Sequence, residues 1–84
     1  MGYFSILIVD DEIDLLETLV KRLQKRNIDT VGVKSGEEAL ETIDKKRFDV
    51  VILDIKMPGG MDGIETLREI KRQHPLTEVI LLTG

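Results

Sequence analysis

Apolar residues follow two spacings along the chain. Unbroken β-rich runs occur at Ser5 to Val9, Thr30 to Val33, Val50 to Leu53 and Val79 to Leu82. Such runs suit strands covered on both faces, as in parallel sheets. Between the first two runs, Ile13, Leu16, Val20 and Leu23 recur three and four apart. That spacing predicts an amphipathic helix of about fourteen residues ending near Asn27. Leu15 and Leu19 widen its apolar face, so the helix is expected to lie on a sheet. Ser35, with Glu38 three residues on, is a capping box that opens a second helix carrying Ala39, Leu40 and Ile43. The stretch KMPGGMDG is a loop by its Pro and Gly content. Ile64, Leu67 and Ile70 mark a third helix, stopped before Pro75.

The alternation is βαβαβαβ. Strands separated by helices require right-handed crossovers and a parallel sheet, an α/β doubly wound class. No repeat, linker or low-complexity segment interrupts it, so residues 1–84 are expected to form one domain.

Composition narrows the possible functions. The chain has 84 residues, 42% of them hydrophobic and 33% charged, with a net charge of −4. Neither a basic run nor an aromatic platform is present, so direct nucleic-acid binding is not expected. There is no cysteine, which excludes disulfides and thiolate metal sites. No apolar run approaches the ~20 residues of a membrane span. The start, MGYFSILIV, lacks a basic region before its apolar part, and Ile6 breaks the myristoylation pattern. A cytoplasmic location is the resulting expectation.

The acidic residues carry the chemistry. ILIVDDE runs an apolar strand into Asp10, Asp11 and Glu12, and VVILD ends in Asp54. Asp10, Asp11 and Asp54 all stand just past the carboxyl end of a strand, the edge where open α/β sheets hold their ligands. If the first and third strands are neighbours, the three carboxylates converge and repel one another. A hard divalent cation relieves that repulsion, and an oxygen-only donor set favours Mg²⁺. Mg²⁺ in turn suggests phosphoryl chemistry, with one carboxylate as nucleophile and two holding the metal. Acids after a strand also serve as helix caps. Glu12 and Asp14 fit that role, and Asp10 and Asp11 alone fit either. Asp54 is followed by Ile55, Lys56, Met57 and Pro58 rather than a helix, so capping does not explain it. The phosphate patterns GxxxxGK[ST] and GxGxxG are absent. Thr83 offers a hydroxyl after the fourth strand, on the same edge. His74, in the last turn of the third helix, is read as a cation suited to a helix C-terminus.

Taken together, ILIVDDE, VVILDIKMPGGMDGIE and VILLTG at these separations resemble the receiver domain of two-component response regulators, over the whole chain. The resemblance implies a flavodoxin-like fold with strand order 2-1-3-4-5. It implies phosphoryl transfer from a histidine kinase, or a phosphotransfer protein, onto Asp54. Asp11 would then ligate Mg²⁺ directly, Asp10 mostly through water, and Lys56 through its backbone carbonyl, with Asp54 completing the set. Thr83 would be the hydroxyl that turns toward the phosphoryl group. The donor histidine belongs to the partner, so His74 is not expected to take part.

Two departures from the family pattern stand out. The loop reads MPGGMDG, one glycine longer than the commoner MPGMDG. The metal site is expected to survive, since glycine tolerates the backbone this needs. The chain also stops at Gly84, where a complete receiver continues through a further helix, strand and helix that carry a phosphate-pairing lysine and a switch aromatic. Lys56 is not expected to replace that lysine. The fourth strand is then expected to be an exposed edge, through which the chain self-associates. Two other readings stay open: a receiver fragment that does not signal, and an aspartate-nucleophile phosphohydrolase. The latter class typically places an acid two residues after its nucleophile, where this chain has Lys56.

Overall fold

The computed structural model describes residues 4–57 and 60–82. Its elements alternate as β1 (Ser5–Val9), α1 (Ile13–Lys25), β2 (Asp29–Val33), α2 (Gly36–Lys45), β3 (Val50–Asp54), α3 (Gly63–Gln73) and β4 (Glu78–Leu82). The four strands form one parallel sheet in the order β2-β1-β3-β4. This is a flavodoxin-like arrangement, and β1 and β3 are the neighbours the acidic cluster needs.

Period-two alternation divides the strands between two apolar layers. Leu7, Val9, Val51 and Leu53 face α2 and α3, where they meet Ala39, Ile43, Phe48, Met57 and Ile70. Ile6 and Ile8 face α1 and meet Leu16. Each fully buried Leu, Ile or Val contributes about 1.5–3 kcal/mol, so the first layer dominates. Register is pinned at the lower edge by Asp49, whose Oδ2 accepts the Ser5 N–H at 2.8 Å and the Ser5 hydroxyl at 3.3 Å.

The helices start and stop for local reasons. The Ser35 hydroxyl accepts the Glu38 N–H at 3.1 Å, one half of the expected capping box, while the Glu38 carboxylate accepts the Lys34 N–H at 3.3 Å rather than that of Ser35. α1 ends before Asn27, which adopts a φ of 62°, a left-handed conformation that Asn tolerates. α3 stops at His74, before Pro75. His74 Nε2 lies 3.4 Å from Asp44 Oδ1, so it faces the end of α2 as well as its own helix terminus.

The wide apolar face expected of α1 is narrower in the structure. Ile13 is 44% exposed and Leu15 42%. α1 sits over β2, where a Cβ on Gly32 would come within 2.8–3.0 Å of Val20 and Leu16 side-chain atoms. The missing side chain lets Leu16 and Val20 seat against the strand, and Leu19 packs in the same layer as expected, whereas Ile13 and Leu15 lie outside it.

Candidate functional site

The carboxyl ends of β1 and β3 each finish in an aspartate that closes its own turn. Asp10 Oδ1 accepts the Glu12 N–H at 2.9 Å. Asp54 Oδ1 accepts the Lys56 N–H at 3.1 Å. Main-chain bonds fix both strand ends: Asp10 N–H donates to Val33 at 3.1 Å and Ile55 N–H to Leu82 at 3.2 Å. Both carboxylates are therefore held on the edge where open α/β sheets place ligands.

Asp10, Asp11 and Asp54 each offer a carboxylate oxygen, and these atoms lie within 4.8 Å of one another. Asp10 is buried at 4% exposure, Asp54 half-buried and Asp11 exposed. A buried carboxylate is costly unless hydrogen-bonded or paired. The Glu12 amide offsets part of that cost for Asp10, and a cation would offset more. Ligand oxygens around one Mg²⁺ stand about 3–4 Å apart, so small carboxylate rotations would bring this group onto a single ion. With oxygen donors only, the set fits Mg²⁺.

The structure also sorts the acids whose roles were open. Glu12 occupies the N-cap position of α1, but its side chain makes no capping bond. The Asp10 carboxylate engages its amide instead. Asp14 lies in the first turn of α1. Lys56 is exposed beside Asp54. Thr83, expected to supply the switch hydroxyl, lies outside the described residues, as do Pro58 and Gly59 of the loop.

Several residues around the site escaped the sequence reading. Asp62 caps α3 with a full capping box, its Oδ1 accepting the Glu65 N–H at 2.8 Å. The Asp-x-x-Glu spacing of DGIE was the available signal. Gly63 presses α3 onto the end of β3: a Cβ there would lie 2.6 Å from the Asp54 carbonyl oxygen and 2.6 Å from Ile55 Cα. Gly36 seats α2 against Thr66 of α3, a fully buried threonine whose hydroxyl donates to the Asp62 carbonyl at 2.7 Å. Glu37 reaches across to the loop and accepts the Met61 N–H at 3.0 Å. No local spacing signals the Gly63, Gly36 and Glu37 contacts, because each joins separate elements.

Known proteins resemble this chain in sequence and in fold. The DNA-binding transcriptional regulator NtrC of Klebsiella pneumoniae is 38% identical over 77 residues, covering 92% of this chain. The chain spans only 16% of that regulator. The chemotaxis protein CheY4 of Vibrio cholerae superposes with a TM-score of 0.90 at 30% identity, covering 99% of this chain and 72% of that one. The response regulator TrrA of Thermotoga maritima, solved with Mg²⁺ and BeF, gives a TM-score of 0.86 at 40% identity, covering 95% of this chain and 69% of that one. Residues 6–84 match the response regulator receiver domain, and the chain belongs to that family.

Proposed function

We propose that residues 1–84 act as one receiver domain that takes a phosphoryl group on Asp54 from a histidine kinase or phosphotransfer protein, in a Mg²⁺-dependent step. The observation that carries this reading is the gathering of Asp10, Asp11 and Asp54 oxygens within 4.8 Å at the ends of β1 and β3. A relative, TrrA, is seen in complex with the histidine kinase ThkA, which supports that kind of partner. The membership of NtrC and PhoP among the relatives supports a signalling role.

In the transfer, an Asp54 carboxylate oxygen bonds to phosphorus as the P–N bond to the donor histidine breaks. The electron pair of that bond leaves with the imidazole, which takes up a proton. Bound Mg²⁺ would neutralise charge on the phosphoryl oxygens. Asp10, Asp11 and the Lys56 carbonyl are the groups assigned to hold it beside Asp54. The Lys56 N–H to Asp54 Oδ1 bond orients the acceptor carboxylate before the donor arrives. Thr83 keeps its assignment as switch hydroxyl from its position after β4. The only reactions proposed for the chain are its own phosphorylation and hydrolysis of the resulting acyl phosphate. Lys56, where a phosphohydrolase of the aspartate class would place an acid, favours this over turnover of free esters.

Incubation with acetyl phosphate and Mg²⁺, followed by intact mass, tests the reading. One phosphoryl adduct is expected, absent in Asp54→Asn and absent with EDTA. No adduct in the unmodified chain would overturn it.

For the 84-residue chain we also propose self-association through β4. This strand stands at the edge of the described sheet, with Ile80 51% and Leu82 39% exposed. An apolar edge strand is a ready template for pairing with a second copy. Sedimentation should show concentration-dependent dimers that Ile80→Lys removes, and a strictly monomeric chain at high concentration would refute this. Among the described residues, no helix is long and apolar enough to cross a membrane.

A further inference from the structure

We propose that Glu37, in the first turn of α2, is a positioning residue for the loop that follows Asp54, and that it sets the affinity of the acidic cluster for Mg²⁺. This rests on the metal-binding reading above. The loop leaves β3 at Asp54 and returns at Gly63, where α3 meets the Asp54 and Ile55 backbone. At its start it is anchored by Met57, buried at the α2–α3 layer. Near its return, the Glu37 carboxylate accepts the Met61 N–H at 3.0 Å from a separate element. Gly60 makes this bond possible. It has a φ of 64°, and a Cβ there would come 2.9 Å from Glu37 Oε2.

The base of α2 is itself fixed. Gly36 meets the buried Thr66 side chain, and Thr66 Oγ1 donates to the Asp62 carbonyl. Glu37 thus projects from a seated helix terminus onto the loop. The Lys56 carbonyl, assigned as a metal ligand, lies on the same loop between Asp54 and Met57. A ligand on a loop binds well only when the loop is held, as outer partners hold metal ligands elsewhere. Because Glu37 is exposed, its hydrogen bond is of the modest kind, and its loss is expected to weaken Mg²⁺ binding roughly three- to fivefold.

The charge of Glu37 also favours the α2 N-terminus, so the two roles must be separated. The test is Mg²⁺ titration of the ¹⁵N-labelled chain, followed at backbone amides, with exchange at the Met61 amide and thermal midpoints recorded in parallel. Glu37→Ala is expected to weaken Mg²⁺ by that factor and to speed Met61 exchange, while α2 amides stay protected. Glu37→Gln keeps an acceptor oxygen without the charge and is expected to restore most of both. Equal Mg²⁺ affinity in Glu37→Ala and the unmodified chain would overturn the inference alone. So would a loss in Glu37→Ala that Glu37→Gln fails to restore, or one matched by general loss of protection. A flat titration of the unmodified chain would overturn the metal-binding reading and this inference with it.

Discussion

Asp10 and Asp54 close the same turn at the ends of neighbouring strands. Each Oδ1 accepts the N–H two residues on, 2.9 Å from Glu12 and 3.1 Å from Lys56. The turn needs only an acceptor oxygen, which Asn also supplies. Asp→Asn substitutions here should therefore remove charge while keeping the backbone in place.

That separation gives a stability prediction. The three carboxylates within 4.8 Å repel, and Asp10 is also buried. Asp10→Asn is expected to stabilise the metal-free chain by on the order of 1 kcal/mol. For a domain of this size that is a rise of about 4–8 °C in Tm, read by thermal melts in EDTA. Added Mg²⁺ should then raise the Tm of the unmodified chain more than that of Asp10→Asn, since a ligand bound only to the folded state stabilises it. A fall in Tm for Asp10→Asn in EDTA would contradict the account.

The capping box of α3 yields a second prediction. Asp62 accepts the Glu65 N–H, and the Glu65 carboxylate lies 3.4 Å from the Asp62 N–H it accepts in return. Asp62→Ala should cost about 1 kcal/mol, measured by denaturant unfolding with an unchanged m-value. Asp62→Asn, which keeps a capping oxygen, should cost clearly less. Equal losses in both would show that the side-chain cap is not the source.

How much of this was legible in the sequence follows from the range of each interaction. The strands were, because unbroken apolar runs such as Ser5 to Val9 and Val50 to Leu53 have few other places to go. The observed strands differ by a residue at an end: β2 begins at Asp29, β3 extends to Asp54 and β4 begins at Glu78. The Ser35 cap was legible because its partner is three residues away. The convergence of Asp10, Asp11 and Asp54 followed once β1 and β3 were taken as neighbours. Exposure of Leu15 was not legible, because helical spacing alone does not say which edge of a wide apolar face meets the sheet. Glu37, Gly36 and Gly63 were not legible either: each reads locally as a helix start or a loop residue, and its function lies in a contact across elements.

The Gly36–Thr66 contact should show as energetic coupling. Gly36→Ala would drive a methyl into Thr66 Oγ1, and that hydroxyl is held in place by its bond to the Asp62 carbonyl. Overpacking of this kind costs about 1–3 kcal/mol. In a Thr66→Ala background the obstructing atom is gone, so most of the Gly36→Ala penalty should vanish. Residues in contact typically couple by about 0.5–3 kcal/mol in such cycles. Additive losses would mean that α2 and α3 relax apart freely.

Gly63 is the most direct mechanical link to Asp54, the proposed acceptor. A Cβ at this position would stand 2.6 Å from the Asp54 carbonyl oxygen and from Ile55 Cα, and 2.9 Å from the Ile55 carbonyl oxygen. All three are backbone atoms of the Asp54–Ile55 segment, so no side-chain rotation can make room. Either α3 withdraws or the Asp54–Ile55 backbone shifts, and the second would disturb the Ile55 N–H bond to Leu82. Gly63→Ala is therefore expected to lose about 1–3 kcal/mol of stability. Under conditions where it remains folded, it should also take up phosphoryl from acetyl phosphate more slowly than Gly36→Ala of equal stability. Gly36 lies against the Thr66 and Met61 side chains with no Asp54 or Ile55 backbone atom in the contact, so the pair separates general destabilisation from direct displacement of the Asp54 backbone. Equal phosphorylation rates at matched stability would show that the close approach at Gly63 serves packing alone.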